Sequence, residues 1–150
     1  MAVIITAFLL GSAYNFFKRS GQFIKAIIPP KRMAMIIMAF LGAASALLFI
    51  KGFYLVLIVM SGFCYYITGI FSEGLSGKGI RVFSSFTMLS RLEPWGSVKK
   101  ASIDVYDKEH YIKLGIYGEK IASFQYYSSN ELERIIKILE NNKIETTVYR

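Results

Sequence analysis

The sequence predicts a membrane α-helical region of two to three transmembrane helices, followed by an α+β domain. That domain is expected to be a curved antiparallel sheet capped by one C-terminal amphipathic helix. Three observations carry this expectation. Residues 1–72 contain six basic side chains (Lys18, Arg19, Lys25, Lys31, Arg32, Lys51) and no Asp or Glu. Three long apolar runs fill that same stretch. From Glu73 onward the pattern changes to short alternating segments that end in a single apolar stripe of helical period.

The chain is 54% hydrophobic and 19% charged, against about 45–50% and about 25% in a typical soluble domain. The excess is uneven. Of a net charge of +8, the acid-free first 72 residues carry +6 and the remainder +2. Two regions with different solvents account for such a split, and the division is drawn as 1–72 and 73–150. The basic surplus sits beside apolar runs, where anionic lipid headgroups explain it. It brings no nucleic-acid motif, and no nucleic-acid partner is expected.

The first run, 1–17, is followed by Lys18-Arg19. Its 17 residues would extend about 26 Å as a helix, a little less than the hydrocarbon core. Positive charge follows the run and no small-residue cleavage site is evident, unlike a signal peptide. An uncleaved anchor is expected, with a helix lying in the interface as the alternative. The second and third runs, 33–50 and 53–71, are separated by Lys51-Gly52 alone and read as a helical hairpin. Gly52 supplies a permissive backbone, and Phe49, Phe53 and Tyr54 supply an aromatic belt. At the opposite end Tyr65, Tyr66 and Phe71 serve the same purpose. Five basic residues in the 18–32 loop place that loop, and the residues after Ser72, in the cytoplasm. The expected location is a multi-pass cell-membrane protein.

Inside the loop, Phe23, Ile24, Ile27 and Ile28 fall at helical spacing. They suit either a short amphipathic segment or an ordinary connector, which Pro29-Pro30 terminates. In the second run Ala39, Gly42, Ala43 and Ala46 form a small-residue face that lets helices approach closely. It could serve packing on the third run at Ser61, Gly62 and Gly69, a homodimer, or a larger membrane partner.

Beyond Glu73, Gly77 and Gly79 open a strand over 80–83, and a second follows over 88–92 until Glu93-Pro94. Ala101, Ile103 and Val105 alternate with polar residues over 100–106. A polar turn, 107–110, leads to Ile112, Leu114 and Ile116 on one face. Ala122, Phe124 and Tyr126 continue the meander. Ser128 and Glu131 form a candidate capping box. Leu132, Ile135, Ile136 and Leu139 recur at helical spacing, Asn141-Asn142 can end the helix, and a last short strand spans 144–148.

Gly77–Ile80 after the last run, the Glu93-Pro94-Trp95-Gly96-Ser97-Val98 entry to the next strand, and the closing helix over 130–139 together resemble the pleckstrin-homology-like domains of small bacterial membrane proteins. Gly96-Ser97 stands where such proteins carry an acidic residue after the Trp. The resemblance covers about half the chain and implies a cytoplasmic sheet-plus-helix module, with no enzymatic activity or lipid specificity attached.

Few residues suggest chemistry. His110 is the only histidine and lies in a turn beside Asp107 and Glu109, where a metal site would need more imidazole or thiolate ligands. Cys64, the only cysteine, lies in an apolar run. No phosphate loop, dinucleotide fingerprint or zincin motif appears. No catalytic residue, metal or cofactor is expected. Arg81, Arg91, Lys99 and Lys100 are candidates for a basic edge facing the inner leaflet, and Trp95 for a ligand contact or a core anchor.

The functional expectation is a non-enzymatic membrane-anchored interaction module that meets a protein partner or lipid headgroups. The alternatives are a small bilayer-acting immunity or accessory subunit and a membrane enzyme with an unrecognised site.

Overall fold

The computed structural model describes residues 1–49, 52–84, 89–119 and 121–149, with the side chains of 31, 46–49 and 107 outside that description. It contains four α-helices and two four-stranded sheets among the described residues.

Helix α1 spans Ala2–Ser20, α2 Pro30–Phe49 and α3 Phe53–Phe71. The aromatic and small residues set their packing. Phe8 stacks on Tyr65 at 5.7 Å between ring centres. A Cβ at Gly62 would lie 3.3 Å from the Phe8 ring. Further along, the Arg19 guanidinium sits 5.2 Å from the centre of the Phe71 ring and donates to the Phe71 carbonyl. Contacts that rise together in both helices mean that α1 and α3 run side by side in the same direction. Helix α2 reaches α3 through Phe40, 5.5 Å from Phe63.

The expectation of two to three transmembrane helices is corrected here. Among the described residues only α3 is long and apolar enough to cross a membrane, and the apolar part of α2 is the shorter stretch Arg32–Ser45. In α1 the last two turns carry Tyr14, Asn15, Lys18, Arg19 and Ser20, which dilute its hydropathy. The small-residue face of α2 is also placed differently. Ala39 and Gly42 are exposed, Ala43 is half-buried, and the side chain of Ala46 lies outside the described residues. The small residues of α3 serve α1 instead, because Phe8 fills the notch at Gly62. Lys51, the other half of the expected hairpin turn, lies outside the described residues.

The first sheet has the order β1-β2-β3-β4, with β1 Ile24–Lys25, β2 Gly74–Ser76, β3 Gly79–Phe83 and β4 Ser90–Pro94. Strand β1 comes from the loop between α1 and α2. Ile24 pairs with Leu75, so this loop is neither an amphipathic helix nor a free connector, and the division at residue 72 cuts through a sheet. Phe23 and Ile24 lie on opposite faces, 61% and 2% exposed, as strand alternation requires. Pro30 opens α2, a position where its missing N–H costs nothing. Glu93 and Pro94 do not interrupt β4, since they pair with Ile80 and Gly79. Pro94 ends the edge strand, where no ladder donor is needed. Met88, the expected start of that strand, lies outside the described residues.

The second sheet has the order β7-β6-β5-β8, with β5 Val98–Tyr106, β6 Tyr111–Gly118, β7 Ala122–Ser128 and β8 Glu145–Tyr149. Strands β5, β6 and β7 form the antiparallel meander. The expected all-antiparallel, single-sheet arrangement is corrected by β8, which pairs parallel to β5. Helix α4, Leu132–Asn141, carries the chain across the sheet between β7 and β8, and a crossover of this kind returns the chain in the parallel sense. Ile135 and Leu139 are fully buried. The capping-box hydrogen bond is absent: Ser128 precedes a 3-10 turn and makes no side-chain cap. Lys143 takes the left-handed backbone, φ 57°, expected of Asn141-Asn142.

One core unites these parts. Ile24, Leu75 and Ile80 from the first sheet join Ile103, Ile112, Leu114 and Ile116 from the second, with Ile135 and Leu139 from α4.

Candidate functional site

Two regions concentrate polar chemistry: a buried junction between helices and sheets, and the outer face of the second sheet.

The junction begins with Asn15, which α1 carries into the protein fully buried. Its Oδ1 accepts from the Ser90 backbone N–H at 3.2 Å and from the Ser90 hydroxyl at 3.3 Å. Arg81, on the same side, donates to Ser90 Oγ at 3.3 Å and to the Ser90 carbonyl at 3.4 Å. The Arg81 carbonyl in turn accepts from Gln125 Nε2 at 2.6 Å, and Gln125 Oε1 accepts from the Tyr127 hydroxyl. An unbroken chain of hydrogen bonds thus runs from α1 through β4 and β3 to β7. Buried polar groups need such partners, since each left unmade costs about 1–3 kcal/mol.

A second set lies alongside. Glu73 Oε2 accepts from Arg32 Nη1 at 2.7 Å, and Oε1 from the Phe83 N–H at 3.4 Å. Burial pushes the Glu73 carboxyl above its ordinary range, and Arg32 and the Phe83 amide oppose that shift without cancelling it. The Tyr127 phenol is pushed well above its usual range, first by burial and then by the nearby Glu73 charge. Gln22 donates to the Ser72 carbonyl. No sequence pattern marks Asn15, Gln22, Gln125 or Tyr127 as members of a buried network. Glu73 has one visible signal: it is the first acid after 72 residues without one.

The expected basic edge does not assemble. Arg81 is inside, 8% exposed, and Trp95 is 6% exposed, with its indole N–H donating to the Ser76 carbonyl at 3.2 Å. Strand alternation puts Arg81 on the face of β3 toward α1, opposite the core face of Ile80. Arg91 pairs with Glu93 at 2.7 Å. Lys99 pairs with Glu119 at 2.7 Å and Lys100 with Glu145 at 3.3 Å, all exposed. Exposed pairs of this kind contribute little stability, but each sets a carboxylate beside the cation it was expected to present. His110 is exposed in its turn with φ 55°, and Cys64 is free and exposed. Among the described residues no three of His, Cys, Asp and Glu converge as metal ligands.

The outer face of the second sheet is aromatic. Tyr106 lies 5.0 Å from Tyr111, Tyr111 5.6 Å from Tyr126, and Tyr117 5.9 Å from Phe124, between ring centres. Lys113 Nζ sits 4.6 Å above Phe124. An open depression of about 500 Å³ runs over this face between Lys100, Asp104, Phe124 and Tyr149. The strands place these residues by simple alternation: Tyr111, Lys113 and Tyr117 point out where Ile112, Leu114 and Ile116 point in.

Compared with known proteins, the chain matches no family model, no curated protein and no solved structure.

Proposed function

We propose that this chain is a non-enzymatic, membrane-anchored interaction module. Helices α2 and α3, which leave the sheet at β1 and rejoin it at β2, hold the sheets at the cytoplasmic face of a membrane, and the outer face of the second sheet receives a protein partner. The observation that carries the reading is that aromatic face. Tyr117, Phe124 and Tyr149 are 38%, 46% and 57% exposed on a rigid sheet, and ring-rich, rigid surfaces of this kind are what protein interfaces use as anchors. Anchoring is supported by α3. Its 19 residues extend about 28 Å, close to the hydrocarbon thickness, and little of it is buried within the protein.

A photocrosslinking side chain at Phe124, compared with one at Glu133 on α4, tests the module in cells. One discrete adduct from the sheet position alone, abolished by Tyr117→Ser with Tyr126→Ser, is the expected result. Equal adducts from both positions, or none, overturn the reading. Extraction of the chain by carbonate washing overturns the anchor.

A further inference from the structure

A cleft of about 580 Å³ lies where the end of α1 meets the β2–β3 turn, and Lys18, Lys78 and Arg81 line it without any Asp or Glu. Phe17 and Phe23 form its rim, 70% and 61% exposed. A neighbouring depression of about 570 Å³ shares Lys18 and Arg81 and adds Arg91. We propose that this cleft binds the phosphate of an anionic phospholipid headgroup. The proposal rests on the membrane-anchored reading above and gives the junction a ligand.

Three features point to that chemistry. The first is an incompletely neutralised cation. Arg81 is 8% exposed, and among the described residues no carboxylate lies within ion-pair distance of it; its partners are the neutral oxygens of Ser90. Buried charge is ordinarily paired, and guanidinium against phosphate is a favoured pair. Lys18 and Lys78 are exposed and likewise have no acidic partner among the described residues, in contrast to Lys99 and Lys100, which are paired.

The second feature is position. Arg19 donates to the Phe71 carbonyl at the very end of α3. If α3 spans the hydrocarbon, its last residue marks the headgroup plane, and Lys18 lies at that level. The third is the rim. Two exposed phenylalanines beside three cations reproduce the interfacial pattern in which rings enter the acyl boundary while cations meet phosphate. Close packing fixes this arrangement: a Cβ at Gly77 would lie 2.9 Å from the Phe23 ring, so the turn bearing Lys78 rests directly on the rim.

The test uses the full chain in nanodiscs of pure phosphatidylcholine or of phosphatidylcholine mixed with phosphatidylglycerol, with retained lipid read by native mass spectrometry. Retained phosphatidylglycerol is expected to exceed retained phosphatidylcholine. The double variant Lys18→Gln with Lys78→Gln, both at exposed positions, should lose that preference by about tenfold. The control Lys99→Gln with Lys100→Gln removes the same charge elsewhere and should keep it. Equal loss in both variants, or no preference in the parent, overturns the cleft while leaving the anchor standing. Inorganic phosphate retained in phosphatidylcholine discs with the same dependence on Lys18 and Lys78 overturns the lipid as occupant. A chain that does not enter either disc overturns both this site and the anchored reading.

Discussion

Glu73 shows how one side chain sets a pH response. Its carboxyl titrates above the ordinary range because burial opposes the charge more than Arg32 supports it. A group whose folded pKa exceeds its unfolded pKa favours folding when protonated. Its contribution is complete below the unfolded value, near the ordinary carboxylate range, and is lost as pH rises through the higher folded value. The parent protein should therefore lose this increment of stability on going from acid toward neutral pH. Glu73→Gln, neutral throughout, should flatten that part of the profile. Thermal melts in detergent across this range check it, and an unchanged slope in the variant would refute it. Gly79 makes a second case. Its φ is +157°, and a Cβ there would meet the Glu93 carbonyl oxygen and lie 2.8 Å from Pro94 Cα. Gly79→Ala should destabilise the fold by about 1–3 kcal/mol, read as a fall in Tm, whereas Gly96→Ala meets nothing within 4 Å and should cost far less. Gly79 is visible in sequence as the opening of a strand, but the backbone it faces is not, because the pairing with β4 is non-local.

Elements were legible where one period dominates. The stripe of α4 and the alternation of β5 and β6 appear in sequence because a single face of each is buried. Strand β7 misleads for the same reason. Phe124 and Tyr126, the residues that mark this strand in sequence, face outward, while Gln125 and Tyr127 are fully buried because the hydrogen-bond chain to Arg81 satisfies the polar one. Strand β1 was illegible altogether, since two residues carry no period. Packing of α4 should be costly to remove: Ile135→Ala is expected to lower stability by about 2–5 kcal/mol, measured by denaturant melts of the detergent-solubilised chain. The exposed neighbour Lys137→Ala should shift the midpoint little. The α1–α3 contact makes a separate prediction. Gly62→Leu would force Phe8 from its notch, starting from a 3.3 Å approach, and should cost about 1–3 kcal/mol as overpacking does.

At the scale of the molecule the composition boundary and the structural boundary diverge. Charge changes at Glu73, yet the first sheet begins at Ile24. Sequence locates solvent preference residue by residue, but it does not show that a basic loop between two apolar helices supplies an edge strand fifty residues away. Ile24 is 2% exposed and pairs with Leu75, itself fully buried. Asn15 and Gln22 hold Ser90 and the end of α3 from the same N-terminal side. A fragment beginning at Glu73 would therefore expose Leu75 and Ile80 and leave β2 an unpaired edge, a configuration that invites aggregation. Such a fragment should unfold less cooperatively than the whole chain and protect β2 and β3 poorly against hydrogen exchange, while β5, β6 and α4 keep most of their protection. Supplying residues 21–29 as a separate peptide should restore protection first at Leu75, because that is where β1 pairs. Full protection of β2 in the fragment without the peptide would mean that the sheets stand independently of the helices, and the hydrogen-bonded junction would then orient the two parts without stabilising either.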